Sequence, residues 1–104
     1  MDPLNPEIEG GTDEDVQEIV KEPSMFKVLL INDDYTTMEF VVEILILVFA
    51  KSLEAATEIM LNVHHKGIGV CGVYPLEIAE TKVETVHSLA KERGFPLRCT
   101  LEKV

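Results

Sequence analysis

Phe26-Lys27-Val28-Leu29-Leu30-Ile31 is an apolar, β-prone run that stops abruptly at three polar residues, Asn32-Asp33-Asp34. A strand of this kind ends where turn-forming side chains begin. Thr36-Thr37-Met38-Glu39 follows at once, with Glu39 three residues after Thr36. That is the spacing of a capping box, so the chain is predicted to pass from strand to turn to helix within a few residues. The helix is predicted to run to about Ala50. Ser52 then caps a second helix, which carries Met60, Val63 and His64 and stops at Gly67. Residues 68–74 read as a second strand, in which Gly69 and Gly72 mark a bulge or a close backbone approach. Pro75 suits the first turn of a third helix, ended by Gly94. Leu97, Cys99 and Leu101 alternate with Arg98, Thr100 and Glu102, as in a strand with one buried face. The order is β-α-α-β-α-β, which no simple parallel sheet accommodates. The predicted class is α+β: a three-stranded antiparallel sheet covered by three helices.

Charge divides the chain in two. Nineteen acids oppose nine Lys and Arg, a net −10 over 104 residues. Residues 1–22 hold eight acids and one base, Lys21, which is −7; residues 23–104 hold 11 acids and 8 bases, which is −3. The first segment also contains Pro3, Pro6, Gly10 and Gly11 and no aromatic residue. It has too little apolar surface to offset the entropy of ordering. Residues 1–22 are therefore expected to be a disordered acidic extension, and 23–104 one folded domain. Such acidity argues against a nucleic-acid partner and against an anionic membrane surface. The longest apolar run, Ile44 to Ala50, falls far short of the ~20 residues that span a bilayer. The acidic N-terminus has no apolar stretch of the secretory kind. Cys71 and Cys99 read as small buried hydrophobes, and a reducing, cytoplasmic setting is expected.

The chemistry gathers at the first turn. Asn32, Asp33 and Asp34 offer acceptors directly after a hydrophobic strand. His64 shares a helical stripe with Met60 and Val63, and Met38 and Val41 are neighbours on the first helix. Acceptors beside two Met-bearing faces suit an apolar pocket with a negative rim, and so a ligand with one cation and one apolar group. The same residues also have ordinary roles. Asn-Asp-Asp serves as a turn, the Met and Val positions serve as core, and a His at a helix C-terminus interacts favourably with the dipole. Spacing alone leaves both accounts open. Other chemistries have less behind them. His64 and His65 are adjacent and diverge by about 100° on a helix, so they do not grip one metal. There is no Cys-x-x-Cys, no phosphate loop and no nucleophile beside a base. A metal-dependent hydrolase built on Asp33, Asp34 and His64 is a further reading that bound metal would reveal. Neither metal nor cofactor is expected.

Four strings in order, KVLLINDDYTTMEFV, VHHKGIGVCGV, IAETKVETV and PLRCTLEKV, together resemble the ClpS family over about residues 23–104. These are bacterial adaptors that deliver N-degron substrates to a Clp ATPase. The resemblance implies a non-enzymatic protein that binds substrates beginning with Leu, Phe, Tyr or Trp. It implies that Asn32, Asp34 and His64 hold the free α-amino group, with Asp33 adding charge nearby. The apolar lining would be Met38, Val41, Met60, Val63 and Leu97, with Thr36 at the rim, and Met38 would exclude β-branched side chains. Glu77 and Lys82 would contact the N-terminal domain of the Clp AAA+ ATPase. The expected partners are that ATPase and N-degron proteins, and the expected state is a monomer. The chain departs from the family pattern at Thr37, where Pro is frequent, and at Ile46 and Leu47, where relatives are commonly polar. Ile46 and Leu47 read either as a partner patch or as extra core. The alternative is an interaction domain without an amine pocket, resembling the C-terminal domain of the ribosomal stalk protein.

Overall fold

The apolar run at the start of the domain becomes the central strand. In the computed structural model, which describes residues 23–104, β1 spans Met25–Ile31 and lies between β2 (Ile68–Pro75) and β3 (Arg98–Lys103), antiparallel to both. The expected extension at 1–22 lies outside the described residues. Being paired on both edges, β1 reads as a near-continuous apolar string. Val28 and Leu30 point into the core and are fully buried. On the opposite face Leu29 is also buried, beside Val70, Val73 and the Lys27–Glu102 ion pair at 3.7 Å.

The helices are α1 (Met38–Leu47), α2 (Leu53–Lys66) and α3 (Leu76–Arg93). They contribute Phe40, Ile44 and Leu45 from α1, Ala56 and Val63 from α2, and Ala79, Val86 and Ala90 from α3 to one cluster with Val28, Leu30, Cys71 and Cys99. Each fully buried Leu, Ile or Val contributes roughly 1.5–3 kcal/mol. The α+β arrangement and the β-α-α-β-α-β order agree with expectation.

Three local features differ from it. The first helix is capped by Thr37, whose side chain accepts from the Phe40 N–H at 3.1 Å. Thr36 lies one residue outside the cap, with its hydroxyl donating to Asp33 Oδ2 at 2.7 Å. Counted from Thr37, the third position is Phe40, so no capping box forms and Glu39 meets only the helix dipole. The same helix ends at Leu47, short of Ala50. Ala50 adopts a left-handed φ of 55°, the Lys51 N–H turns back to Leu45 O, and the Lys82 ammonium takes Val48 O at 2.8 Å. Pro75 serves as the flanking cap of α3 and closes β2, an edge strand whose last residue needs no amide donor.

The other boundaries fall where expected. Ser52 accepts from the Ala55 N–H, and Gly67 ends α2 at φ 88° while donating to Val63 O. The β1–β2 register skips at Cys71, between Val28↔Gly72 and Leu29↔Val70, so the glycine-marked bulge is present. Ile46 and Leu47 are not core: Leu47 is 66% exposed, as is Leu53 across the turn.

Candidate functional site

The site is set by the way β1 ends. After Ile31, the Asn32 N–H donates to Gly67 O at 2.9 Å, which ties the turn to the C-terminus of α2. Gly67 follows His64 by less than one helical turn, so this single bond brings the Asn-Asp-Asp loop beside His64. At Gly69 a Cβ would lie 2.6 Å from Val63 Cγ2 and 3.3 Å from Ile59 O. Only glycine lets β2 run this close to α2, and the approach fixes Val63 in the floor of the site.

Asp33 organises the loop. Its Oδ1 accepts from the Tyr35 N–H (2.8 Å) and the Thr36 N–H (2.7 Å), and its Oδ2 accepts from the Thr36 hydroxyl at 2.7 Å. Partial burial by itself would raise the Asp33 carboxyl. The bonds from Thr36 and Tyr35, with the nearby Arg98 charge, outweigh that and hold it below the ordinary value of 3.8. Asp33 therefore stays ionised as the staple of the turn, and both its oxygens are occupied. Its carboxylate organises the loop that presents its neighbours, and its charge remains at the side of the cavity.

Beside this loop is a cavity of about 280 Å³. Asn32, Asp33, Asp34 and His64 stand at its polar side, with Thr36 between them and the helices. Met38 and Val41 of α1 face Met60 and Val63 of α2 across it. Val41 and Val63 are buried, whereas Met38 is 44% exposed at the mouth. Nine of the ten residues expected at the pocket are brought together. Leu97 is the exception: it is buried under the start of β3 and lines a neighbouring cleft. Among the described residues, the side chains of Asn32, Asp34 and His64 make no hydrogen bond to a protein group. Each is exposed, with its acceptor available.

The arrangement accepts hydrogen bonds on one side and buries an apolar group on the other. It has no nucleophile paired with a base. Cys71 and Cys99 are buried free thiols, pushed up by desolvation, Cys99 to about 12. Among the described residues, no three His, Cys, Asp or Glu side chains converge as metal ligands would.

The residues expected at an ATPase contact are placed differently from one another. Glu77 is exposed in the first turn of α3, at an apolar cleft lined by Phe26, Pro75, Leu76 and Ile78. Lys82 turns inward. Its ammonium donates to Val48 O and lies 5.9 Å and 5.3 Å from the ring centres of Phe49 and Tyr74. Sequence reasoning did not find this bond, since nothing in the spacing links residues 34 apart. It also did not find that Arg93 of α3 binds Glu43 at 2.7 Å over the Phe40 ring, nor that Tyr35 and Arg98 border a second cleft.

Comparison with known proteins gives consistent relatives. Residues 21–100 match the family described as ATP-dependent Clp protease adaptor protein ClpS. The ClpS adapter protein of Lawsonia intracellularis is 61% identical over 98 residues, covering 94% of this chain and 90% of that protein. The counterpart in Nitratidesulfovibrio vulgaris is 60% identical over 98 residues, covering 92% and 98%. Among solved structures, Agrobacterium tumefaciens ClpS2 bound to L-phenylalaninamide superposes with a TM-score of 0.77 at 42% identity. That alignment covers 80% of this chain and all of the other.

Proposed function

The chain belongs to the ClpS family of ATP-dependent Clp protease adaptors, and from that premise we propose that its cavity binds the N-terminal residue of N-degron substrates for delivery to a Clp AAA+ ATPase. The observation that carries the reading is the pairing of three uncommitted acceptors, Asn32, Asp34 and His64, with a Met- and Val-lined cavity. An α-ammonium has three donors. The Asn32 carbonyl, the Asp34 carboxylate and a neutral His64 ring nitrogen supply three acceptors. The phenylalaninamide held by the Agrobacterium protein has this composition, a free amine beside an apolar side chain. Leu, Phe, Tyr and Trp are the expected occupants, and Met38 at the mouth is the group that would collide with a branched Cβ.

Hydrogen bonds to a charged group contribute about 1.5–3 kcal/mol each, and burying a Leu or Phe side chain adds roughly the same. After ordering costs, the net corresponds to micromolar-scale dissociation. That strength suits an adaptor, which must also release its cargo. The protein works by binding and handover, without chemistry of its own, as a monomer in the cytoplasm. Its ATPase contact centres on Glu77 and the apolar cleft beside it, with Lys82 supporting that surface from behind.

Fluorescence anisotropy with a Leu-initiated peptide and its N-acetylated twin tests the reading. Acetylation removes the charge and two of the three donors, so affinity should fall at least about tenfold. Equal affinity for the two peptides would overturn amine recognition.

A further inference from the structure

The amine cavity has a neighbour, a depression of about 290 Å³ between α1 and α2. Met38 and Met60 line both. These two side chains form the partition, with Val41 and Val63 on the substrate side and Val42 and Leu53 on the other. Each thioether therefore borders an open depression on either side.

The two methionines differ in what they do for the fold. Met60 is half-buried and packs against the hydrophobic core. Met38, the first residue of α1, is exposed and belongs neither to that core nor to the partly buried shell around it. Met25, the remaining methionine among the described residues, is also exposed, but it opens β1, at the far end of the strand from Asn32.

The other sulfur of the chain is out of reach. Cys71 and Cys99 are buried, and desolvation holds both as thiols. Oxidants attack the thiolate of an accessible cysteine, and neither residue offers one. An oxidant that meets this domain finds thioether before thiol.

Sulfoxidation changes the wall in a way that an apolar cavity registers. Methionine is a flexible apolar filler, whereas its sulfoxide is polar and chiral. Burying a polar oxygen against hydrocarbon is costly unless a donor meets it. The side chains of Val41, Met60 and Val63 have no donor to give.

We propose that Met38 is a redox-sensitive modification site: a hydroperoxide converts it to the sulfoxide, and the cavity then rejects the apolar side chain of the substrate's first residue. The inference rests on the proposed binding of that residue in the cavity. In the forward step a sulfur lone pair takes one peroxide oxygen. The S–O bond forms as the O–O bond breaks, and the rest of the hydroperoxide leaves as water or an alcohol. Sulfur loses two electrons and the peroxide gains them. A thiol-dependent reductase reverses the step, releasing the oxygen as water while two thiols become a disulfide. Because Met38 stands outside the core, the fold survives the change and only binding is switched.

The test uses the full chain, hydrogen peroxide, mass-spectrometric mapping of each methionine, and anisotropy with a Leu-initiated peptide. Protein carrying the Met38 sulfoxide should bind at least about fivefold more weakly at an unchanged melting temperature. Reductase treatment should restore the affinity. Peptide present during oxidation should shield Met38 and leave Met25 unprotected. Variants are each read against their own untreated form. M25L/M60L, which keeps Met38, should still lose affinity on oxidation, and M38L/M60L, which keeps Met25, should not. Leu for Met nearly conserves volume, and melting curves verify folding. Unchanged affinity after complete oxidation of Met38 overturns the proposal, as does a loss that persists in M38L/M60L. The N-acetylated peptide separates the two levels. If it binds the untreated protein as well as the free form does, amine recognition has failed, whereas a free-amine preference and affinity that oxidation leaves intact refute the switch alone.

Discussion

The two ends of α1 are built in opposite ways. At its N-terminal end, Asn32, Asp34, Met38 and the facing His64 are exposed, and among the described residues the polar side chains of Asn32, Asp34 and His64 are bonded to nothing in the protein. At its C-terminal end, Val48 O accepts from Lys82, the Lys82 ammonium lies over two aromatic rings, and Phe49 is buried beneath it. Unpaired acceptors cost little where water reaches them and a great deal where it does not. The contrast therefore separates groups left open to solvent from groups that hold the fold. It divides the expected residues as well, since Asn32, Asp34 and His64 fall on the first side while Asp33 and Lys82 fall on the second.

The sharpest way to break this contrast is to remove an acceptor from the open end. Asp34→Ala deletes a carboxylate that would bond a charged amine, which is about 1.5–3 kcal/mol, or roughly ten- to a hundredfold in affinity. The melting temperature should stay where it is, because no bond within the protein is lost. Isothermal titration with a Phe-initiated peptide, alongside a thermal melt, reads both quantities. A variant that melts early and binds normally would put Asp34 among the structural residues.

The closed end should respond the other way round. Lys82→Met keeps the aliphatic stem but removes the bond to Val48 O and the cation over Phe49 and Tyr74. Stability should drop by about 2–4 kcal/mol, the sum of one charged hydrogen bond and a partly solvated cation–π contact. Peptide affinity should be unchanged, since the cavity lies at the other end of the helix. Urea unfolding gives the first value and anisotropy the second. If stability is intact while docking to the ATPase is lost, Lys82 is a contact residue after all and the inward geometry is incidental.

Much of this was legible in the sequence because local rules dominate where they act alone. The β1 run, the Ser52 cap, the Gly67 and Gly94 stops and the alternation at Leu97–Leu101 each depend on a few neighbouring residues. The gathering of Asn32, Met38, Met60 and His64 was expected chiefly from the family resemblance, since the bond that brings it about joins Asn32 to Gly67, far along the chain. What escaped depends on competition or on distance. Thr36 and Thr37 are equally good caps by type, and the choice falls to Thr37 where Asp33 draws both the Thr36 N–H and its hydroxyl into the preceding turn. The first helix stops at Leu47 partly because Lys82, far along the chain, claims a carbonyl there. Leu97 has the right chemistry for the pocket, but the turn that begins β3 sets it in the next depression.

Asp33 makes the smallest and most discriminating test, because it belongs to the loop rather than to the ligand. Its carboxyl is held below 3.8 by the Thr36 and Tyr35 bonds despite partial burial. A carboxyl whose folded pKa is depressed binds its proton more readily in the unfolded chain. The stability it contributes is therefore complete above the unfolded value and is lost as pH falls through the lower, folded one. Asp33→Asn keeps a carbonyl for the backbone amides and has no charge to titrate. Parent and variant should differ by a constant amount at neutral pH, the parent melting higher. The gap should stay constant down to about 3.8 and then narrow as the pH drops further, while every other acid transition affects both proteins alike and cancels. The effect should be smaller than that of Lys82→Met, since solvent and salt screen a half-exposed carboxylate. Melting curves of the two proteins across that range decide the matter: a gap that persists well below 3.8 removes the charged staple, and with it the reason the loop presents Asn32 and Asp34 together.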